Sequence, residues 1–341
     1  MKDITQNMVK SLLSDRKLTQ LVIVAVIVFA TFSLLVPELF LTPRNFVSMA
    51  FQIPEIALLA LGVMLAMLTA GIDLSVVSMS NLAALSTAYL LVTQVTEGGG
   101  NVYVWIVITL LIGIFVGLVA GLANGLIIAE IGVTPILATL ATLTLYNGIA
   151  VGVRNGQSII GLPEEFVAIG NSSLWGIPMP MVILLVAGVG VAIFINRTGL
   201  GMQSILVGAN QDAARYSGIS VKKVLIMTYT LSGGLSALAG LIIASRSASA
   251  NPDYGSSYVL LAIVIVVLGG VNPYGGFGTV TGVILATGVL QMVASGFNAL
   301  RFSQFFYQLA QGFVLVAVMV LNVYVDKRRI AAKTKKAPKE S

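Results

Sequence analysis

The sequence predicts an all-α polytopic membrane protein of about ten spans, and three observations predict it. The 341 residues are 57% hydrophobic and only 9% charged, against about 25% charge in soluble domains. The apolar residues lie in continuous runs of about 20, the length that crosses a bilayer as helix, rather than in the ~10-residue alternating segments of a barrel. The basic residues, finally, fall into sets that alternate with the runs.

The first run, about 18–40, is too long for a signal-peptide core and reads as a retained span. Further spans are predicted at about 51–70, 74–94, 102–128, 133–153, 178–196, 224–245, 259–272, 278–297 and 305–325. Of the 19 Lys and Arg residues, four lie in the head (Lys2, Lys10, Arg16, Lys17) and four in the central polar interval (Arg197, Arg215, Lys222, Lys223). Seven lie in the tail (Lys327, Arg328, Arg329, Lys333, Lys335, Lys336, Lys339), and Arg44, Arg154, Arg246 and Arg301 fall on the other side. The positive-inside rule then sets both termini in the cytoplasm. The organisation expected is a basic head at 1–17, a membrane domain at 18–325 with a cytoplasmic loop at 197–223, and a basic tail at 326–341.

Composition excludes several chemistries. There is no Cys and no His, so disulfides, thiolate or imidazole metal ligands and a Ser/His/Asp triad are all absent. No GxxxxGK[ST] phosphate loop occurs, and no paired carboxylates stand at helical spacing within a span. The chain is therefore expected to have no catalytic residues, no metal site and no bound cofactor. The basic residues are sorted by side, so they mark lipid and topology rather than nucleic acid.

Small residues form ridges that let helices pack closely: Gly117, Gly121 and Gly125 in the fourth span, and Gly233, Ala237 and Leu241 in the seventh. Two stretches break spans with turn chemistry. One holds Gly71, Asp73 and Ser75; the other holds Gly269, Gly270, Gly275, Gly276 and Gly278. Asp73, the main acid within the spans, precedes a long helix, so its carboxylate is expected to cap that helix start; Glu55 and Glu130 lie nearer the edges. A second reading of Asp73, a charge linked to ion flow, stays open.

Uncharged polar residues, Asn81, Asn124, Asn147, Gln291, Asn298 and Gln308, together with the ring of Phe297, supply an expected path for a hydroxyl-rich solute. Each of the polar side chains alone also serves as an interhelical hydrogen bond. In the central interval, Gln211, Asp212, Ala213, Ala214 and Arg215 read as a helix of about seven residues, capped by Asn210 and stopped by Gly218. At ~10 Å it is too short to span anything. Its expected use is to dock into a partner, with the two alanines leaving room for contact. The outer segment 154–177 is long enough to meet a soluble partner.

From about residue 45 to 325 the chain resembles the permeases of bacterial ABC importers for simple sugars, the ribose-permease type. Gly71-Ile72-Asp73-Leu74-Ser75-Val76 is similar to that family's GIDLSVG hallmark, with Val77 in place of the last Gly. Asp212-Ala213-Ala214 followed by Gly218 is similar to its EAA-x-x-x-G element, and Leu268-Gly269-Gly270 through Gly275-Gly276-Phe277-Gly278-Thr279 to its LGG…GGxGT segment. The resemblance implies an inner-membrane subunit paired with a second permease, identical or not. A periplasmic binding protein would dock outside. ATPase subunits carrying ATP and Mg would grip the helix at Asp212–Gly218. The solute implied is a ribose-like sugar or a furanose-like signal molecule. The alternative from the residues alone is an ion-coupled carrier for a small neutral solute.

Overall fold

The structure, a computed structural model, describes residues 16–153, 155–303, 305–309 and 312–313. Most of the predicted head, the tail and most of the tenth span at 305–325 lie outside the described residues. Helix α1 (Arg16–Leu35) is followed by one turn, α2 (Pro37–Phe40), and by α3 (Pro43–Leu68). Next come α4 (Val76–Leu91), α5 (Val102–Leu126) and α6 (Pro135–Val153), α4 and α5 each ending in a widened π turn. Helix α7 (Glu164–Asn171) precedes α8 (Met179–Arg197), α9 (Gly199–Ala209) and α10 (Gln211–Tyr216). Then follow α11 (Val221–Ser247), α12 (Tyr258–Leu268) and α13 (Val280–Ala299). Two-residue ribbons β1 (Ile159–Ile160) with β4 (Ser249–Ala250), and β2 (Ser173–Leu174) with β3 (Ile177–Pro178), are the strands among the described residues.

Eight of these helices are long and apolar enough to cross a membrane. The predicted eighth span is corrected. It is the 11-residue α12, ~16 Å long and about half a ~30 Å hydrocarbon core. Its end is set locally: Gly270 stands at φ +84, and the Gly270 and Val271 amides donate to the Val267 and Val266 carbonyls, a left-handed cap.

The interval 197–223 is likewise no loop. Thr198 Oγ1 accepts from the Gly201 amide and opens α9, whose Leu200 packs toward the core and whose Val207 is buried in it. The segment 154–177 holds α7, begun by Pro163 with Glu164 and Glu165 in its first turn.

Helix α11 is the centre, packed on α5, α3 and α4, while α12, α13 and α1 gather on or behind α3. The helices α3 and α4 are largely buried, whereas α1, α5, α6 and α8 turn apolar faces outward, as lipid requires. Since lipid tails are as apolar as leucine, close packing rather than water exclusion must hold the bundle. The predicted ridges supply it. A Cβ on Gly117 would lie 2.5 Å from Ala237 Cβ, and one on Gly125 would lie 2.7 Å from Ile226 Cα. Gly121 meets the Tyr229 carbonyl and Gly233 in the same way. The ridge of α5 is thus seated backbone to backbone on α11.

Both breaks, α9 and α10 share one end of the bundle. Residues 36–45, 248–257 and 300–303 lie at the other.

Candidate functional sites: a knob, a glycine junction and a polar chamber

The knob is α10, six residues long. Asn210 is extended, and its Oδ1 accepts from the Ala213 amide at 2.9 Å. At the far end Gly218 stands at φ +80, a region other residues enter at a cost. Its amide donates to the Arg215 carbonyl and that of Ile219 to Ala214, both at 3.0 Å, which completes a Schellman stop. Gln211, Asp212, Ala213, Arg215 and Tyr216 face outward, Tyr216 93% exposed. Ala214 does not. It is 4% exposed and packs into a cluster with Val207, Val221, Val224 and Leu225. The expectation that both alanines meet a partner is corrected: a helix of six residues cannot hold an anchoring face and expose every residue, and Ala214 is the anchor.

Just before the knob, three backbones meet. The Gly276 amide donates to the Leu68 carbonyl at 3.1 Å, joining the second break to the end of α3. Gly208, in α9, lies against both; a Cβ there would overlap the Leu68 carbonyl and stand 2.7 Å from the Gly276 nitrogen. A Cβ on Gly275 would fall 2.6 Å from the Gly208 carbonyl and 2.9 Å from Ala70. Nearby, Gly278 abuts Leu68 and Val271, and Gly269 abuts Gly282 on α13.

In the first break, Asp73 is fully buried. Its Oδ1 accepts from the Ser75 amide at 3.0 Å and the Ser75 hydroxyl at 2.7 Å. Its Oδ2 accepts from the Ser232 hydroxyl on α11 at 2.9 Å. The carboxylate therefore takes one N–H just ahead of α4, not the free amides inside it, and its other oxygen crosses to α11. Ser75, at the cap position, makes no side-chain cap. Gly71 leaves room for the Tyr229 hydroxyl, which is buried and has no described partner.

At the opposite end a polar chamber of about 480 Å³ opens between α3, α12 and α13. Asn45, Ser48 and Gln52 of α3 line one side, Gln291, Ser295 and Asn298 of α13 the other, with Tyr258 from α12. No Asp, Glu, Lys or Arg lines it among the described residues. The walls are pre-set. Gln291 Nε2 donates to Gln52 Oε1 at 3.1 Å, Gln52 Nε2 to the Ser48 hydroxyl at 2.9 Å, and the Ser295 hydroxyl to Asn45 Oδ1 at 2.6 Å. Phe297 and Phe302, ring centroids 5.4 Å apart, complete the outer wall.

Residues 45–321 match the family described as "Branched-chain amino acid transport system / permease component". The chain is 37% identical to the ribose import permease protein of Bacillus subtilis, over 83% of this chain and 86% of that one. It is 32% identical to the L-arabinose transport system permease protein of Escherichia coli, over 91% of each chain. With the D-allose transport system permease protein of E. coli the identity is 29%, over 88% of this chain and 90% of the other. The chain belongs to this permease family. No solved structure gives a significant match. These relatives leave the ion-coupled carrier without support.

Within this permease, three of the seven path residues come together: Gln291, Phe297 and Asn298 all line the chamber. The other four do not. Asn81 donates to the Pro252 and Tyr254 carbonyls at 2.7 and 2.9 Å, pinning the turn before α12. Asn124 donates to the Ser75 hydroxyl at 2.8 Å and accepts from Tyr146 at 3.3 Å. Asn147 lies on α6 with a buried oxygen that has no described partner. Gln308 is exposed and outside the chamber lining. Glu55, read as lying nearer the edge of its span, has a partner there. It is buried at 5% exposure and paired with Arg246 of α11, which also donates to the Phe51 carbonyl at 3.2 Å. The chamber side formed by Asn45, Ser48 and Gln52 went unforeseen. Its one local signal was uncharged polar residues at i, i+3 and i+7 on a mostly apolar helix.

Proposed function

We propose that this permease imports a neutral monosaccharide as one of two permease subunits in an ABC transporter. The observation that carries the choice of solute is the uncharged lining of the chamber. A branched-chain amino acid is a zwitterion, and burying its two charges away from water costs several kcal/mol unless each is paired. The buried Asp73 is committed to Ser75 and Ser232, and Glu55 to Arg246. Each hydroxyl of a sugar, by contrast, both donates and accepts, as amides and hydroxyls do. The names of the relatives, for ribose, L-arabinose and D-allose, support the same solute class.

In this reading the knob and both termini face the cytoplasm. ATPase subunits, holding ATP and its magnesium, seat α10 in a cleft, and a periplasmic binding protein delivers sugar at the chamber end. The head at 1–17 and tail at 326–341 stay cytoplasmic against lipid. The outward face of α10 offers Asp212, Arg215 and Tyr216, and Arg and Tyr are residue types enriched at interface hot spots.

The test is Tyr216→Ala and Asp212→Arg, both at positions exposed in the isolated chain. Each should leave insertion and yield unchanged, while co-purification with the ATPase and sugar uptake fall about tenfold or more, the scale of a lost hot spot. A cysteine at Ser217, in a chain without cysteine, should label from the cytoplasm alone. Wild-type ATPase association in both variants, or external labelling at 217, would refute the reading.

A further inference from the structure

We infer that the chamber between α3, α12 and α13 is a solute site within a single permease subunit. It would recognise a neutral, polyhydroxylated ring through Gln291, Asn298 and Tyr258, with Phe297 and Phe302 as its apolar face. The inference rests on the sugar-import reading and goes beyond it, since import alone requires only a passage, not a place where the subunit itself recognises the solute.

Size and chemistry agree. A volume of about 480 Å³ falls within the ~300–1,000 Å³ of small-molecule sites. Such sites combine apolar walls with a few fixed polar groups, and here the fixing is visible. Gln52 spends its oxygen on Gln291 and its amide on Ser48, so it is a brace. Gln291 is held by that brace through its nitrogen, at 6% exposure, and keeps its carbonyl oxygen free to accept. Asn298, seven residues on and two helical turns along the same face of α13, has a side-chain amide with no partner among the described residues. The Tyr258 hydroxyl, from α12, faces no hydrogen-bond partner either. Three uncommitted groups, from two helices, thus converge on one uncharged volume. They supply at least one acceptor, one donor and one group that does both, the set that a ring of hydroxyls satisfies. A lipid chain would leave all three unpaired. A charged solute would find no counter-charge in the lining, and the nearby Glu55 and Arg246 are already paired with each other.

The experiment uses the whole transporter, permease with its ATPase and binding protein, in proteoliposomes. Radiolabelled D-ribose, L-arabinose and D-allose are the probes. Gln291→Leu and Asn298→Leu should each lower sugar imported per ATP hydrolysed by about two- to tenfold, the factor expected when one neutral hydrogen bond is withdrawn. Gln52→Leu should act like Gln291→Leu, because it removes the brace. For a variant that assembles poorly, Asn298→Cys gives a second measurement. The imported sugar should slow its modification by a water-soluble thiol reagent in the permease–ATPase complex without the binding protein. Wild-type import with unchanged coupling in Gln291→Leu and Asn298→Leu, or no protection at position 298, overturns the chamber as a solute site and leaves the import reading standing. A wild-type transporter that imports none of the three sugars overturns the import reading, and this inference with it.

Discussion

Two glycine-to-alanine substitutions on neighbouring helices should change stability in opposite directions. At Gly208, a Cβ would sit 2.7 Å from the Gly276 nitrogen and overlap the Leu68 carbonyl. Ordinary contact needs about 3.5 Å, so the end of α9 must withdraw by ~0.8 Å or more. The neighbours are backbone and cannot rotate aside. Forcing a methyl into such a contact costs about 1–3 kcal/mol. Where α9 does not withdraw, the methyl crowds the 3.1 Å bond between Gly276 and Leu68, and its loss adds about 0.5–1.5 kcal/mol. Better helix propensity returns about 0.5–1 kcal/mol, which leaves a net loss of roughly 0.5–4 kcal/mol. At Gly190, inside α8, no described atom lies within 4 Å of the added Cβ. The propensity gain stands alone there, stabilising by about 0.5–1 kcal/mol. Both variants are purified in detergent and their melting temperatures compared by tryptophan fluorescence. Gly208→Ala should melt below wild type and Gly190→Ala at or above it. If Gly208→Ala melts with or above wild type, the three backbones do not meet at this junction.

Asp73→Asn keeps an acceptor for both Ser75 donors and should cost under about 1 kcal/mol, whereas Asp73→Leu strands buried donors at about 1–3 kcal/mol each; thermal stability compares them. Equal loss in both would show that the charge, rather than the hydrogen bonds, is what matters. Arg246→Met leaves Glu55 buried without its cation and should cost about 3–5 kcal/mol, most of it recovered in the double variant with Glu55→Leu. Additive losses in that double-mutant cycle would mean the two side chains are not coupled.

Features set by near neighbours in the chain were legible in the sequence. The Asn210 cap and the Gly218 stop depend on residues within a turn. The glycine ridge of α5 declares itself by spacing, because a stripe of hydrogens at i, i+4 and i+8 has no use except close approach. Features that join distant segments were hidden. Gln291 and Gln52 are 239 positions apart, and nothing local to either says that they form one wall. The inward turn of Ala214 depends on the buried cluster it shares with Val207 and Val221, which composition alone cannot reveal. Helix α9 was obscured by its own neighbours, because the polar knob that follows made the whole interval read as loop. Asp73 misled in a different way. Its spacing from α4 fits a cap, but Ser232, 159 residues away, takes its second oxygen.

The seam between α5 and α11 also bears on how the molecule can move. With backbone close to backbone along the glycine ridge, a slide of one residue, about 1.5 Å, would drive the Ala237 methyl or the Tyr229 backbone into a ridge that has no room for them. The two helices are therefore a single stiff beam. The beam begins three residues past the stop of the knob, at Val221, and runs 27 residues to Ser247, ~40 Å at 1.5 Å per residue. Over that length a tilt of about 4° at the knob carries the distant end by ~3 Å. Arg246 rides on that end, clasping Glu55 and the Phe51 carbonyl of α3, and the next residue after Phe51 is Gln52. Such a displacement is about the length of the 3.1 Å hydrogen bond that braces the chamber.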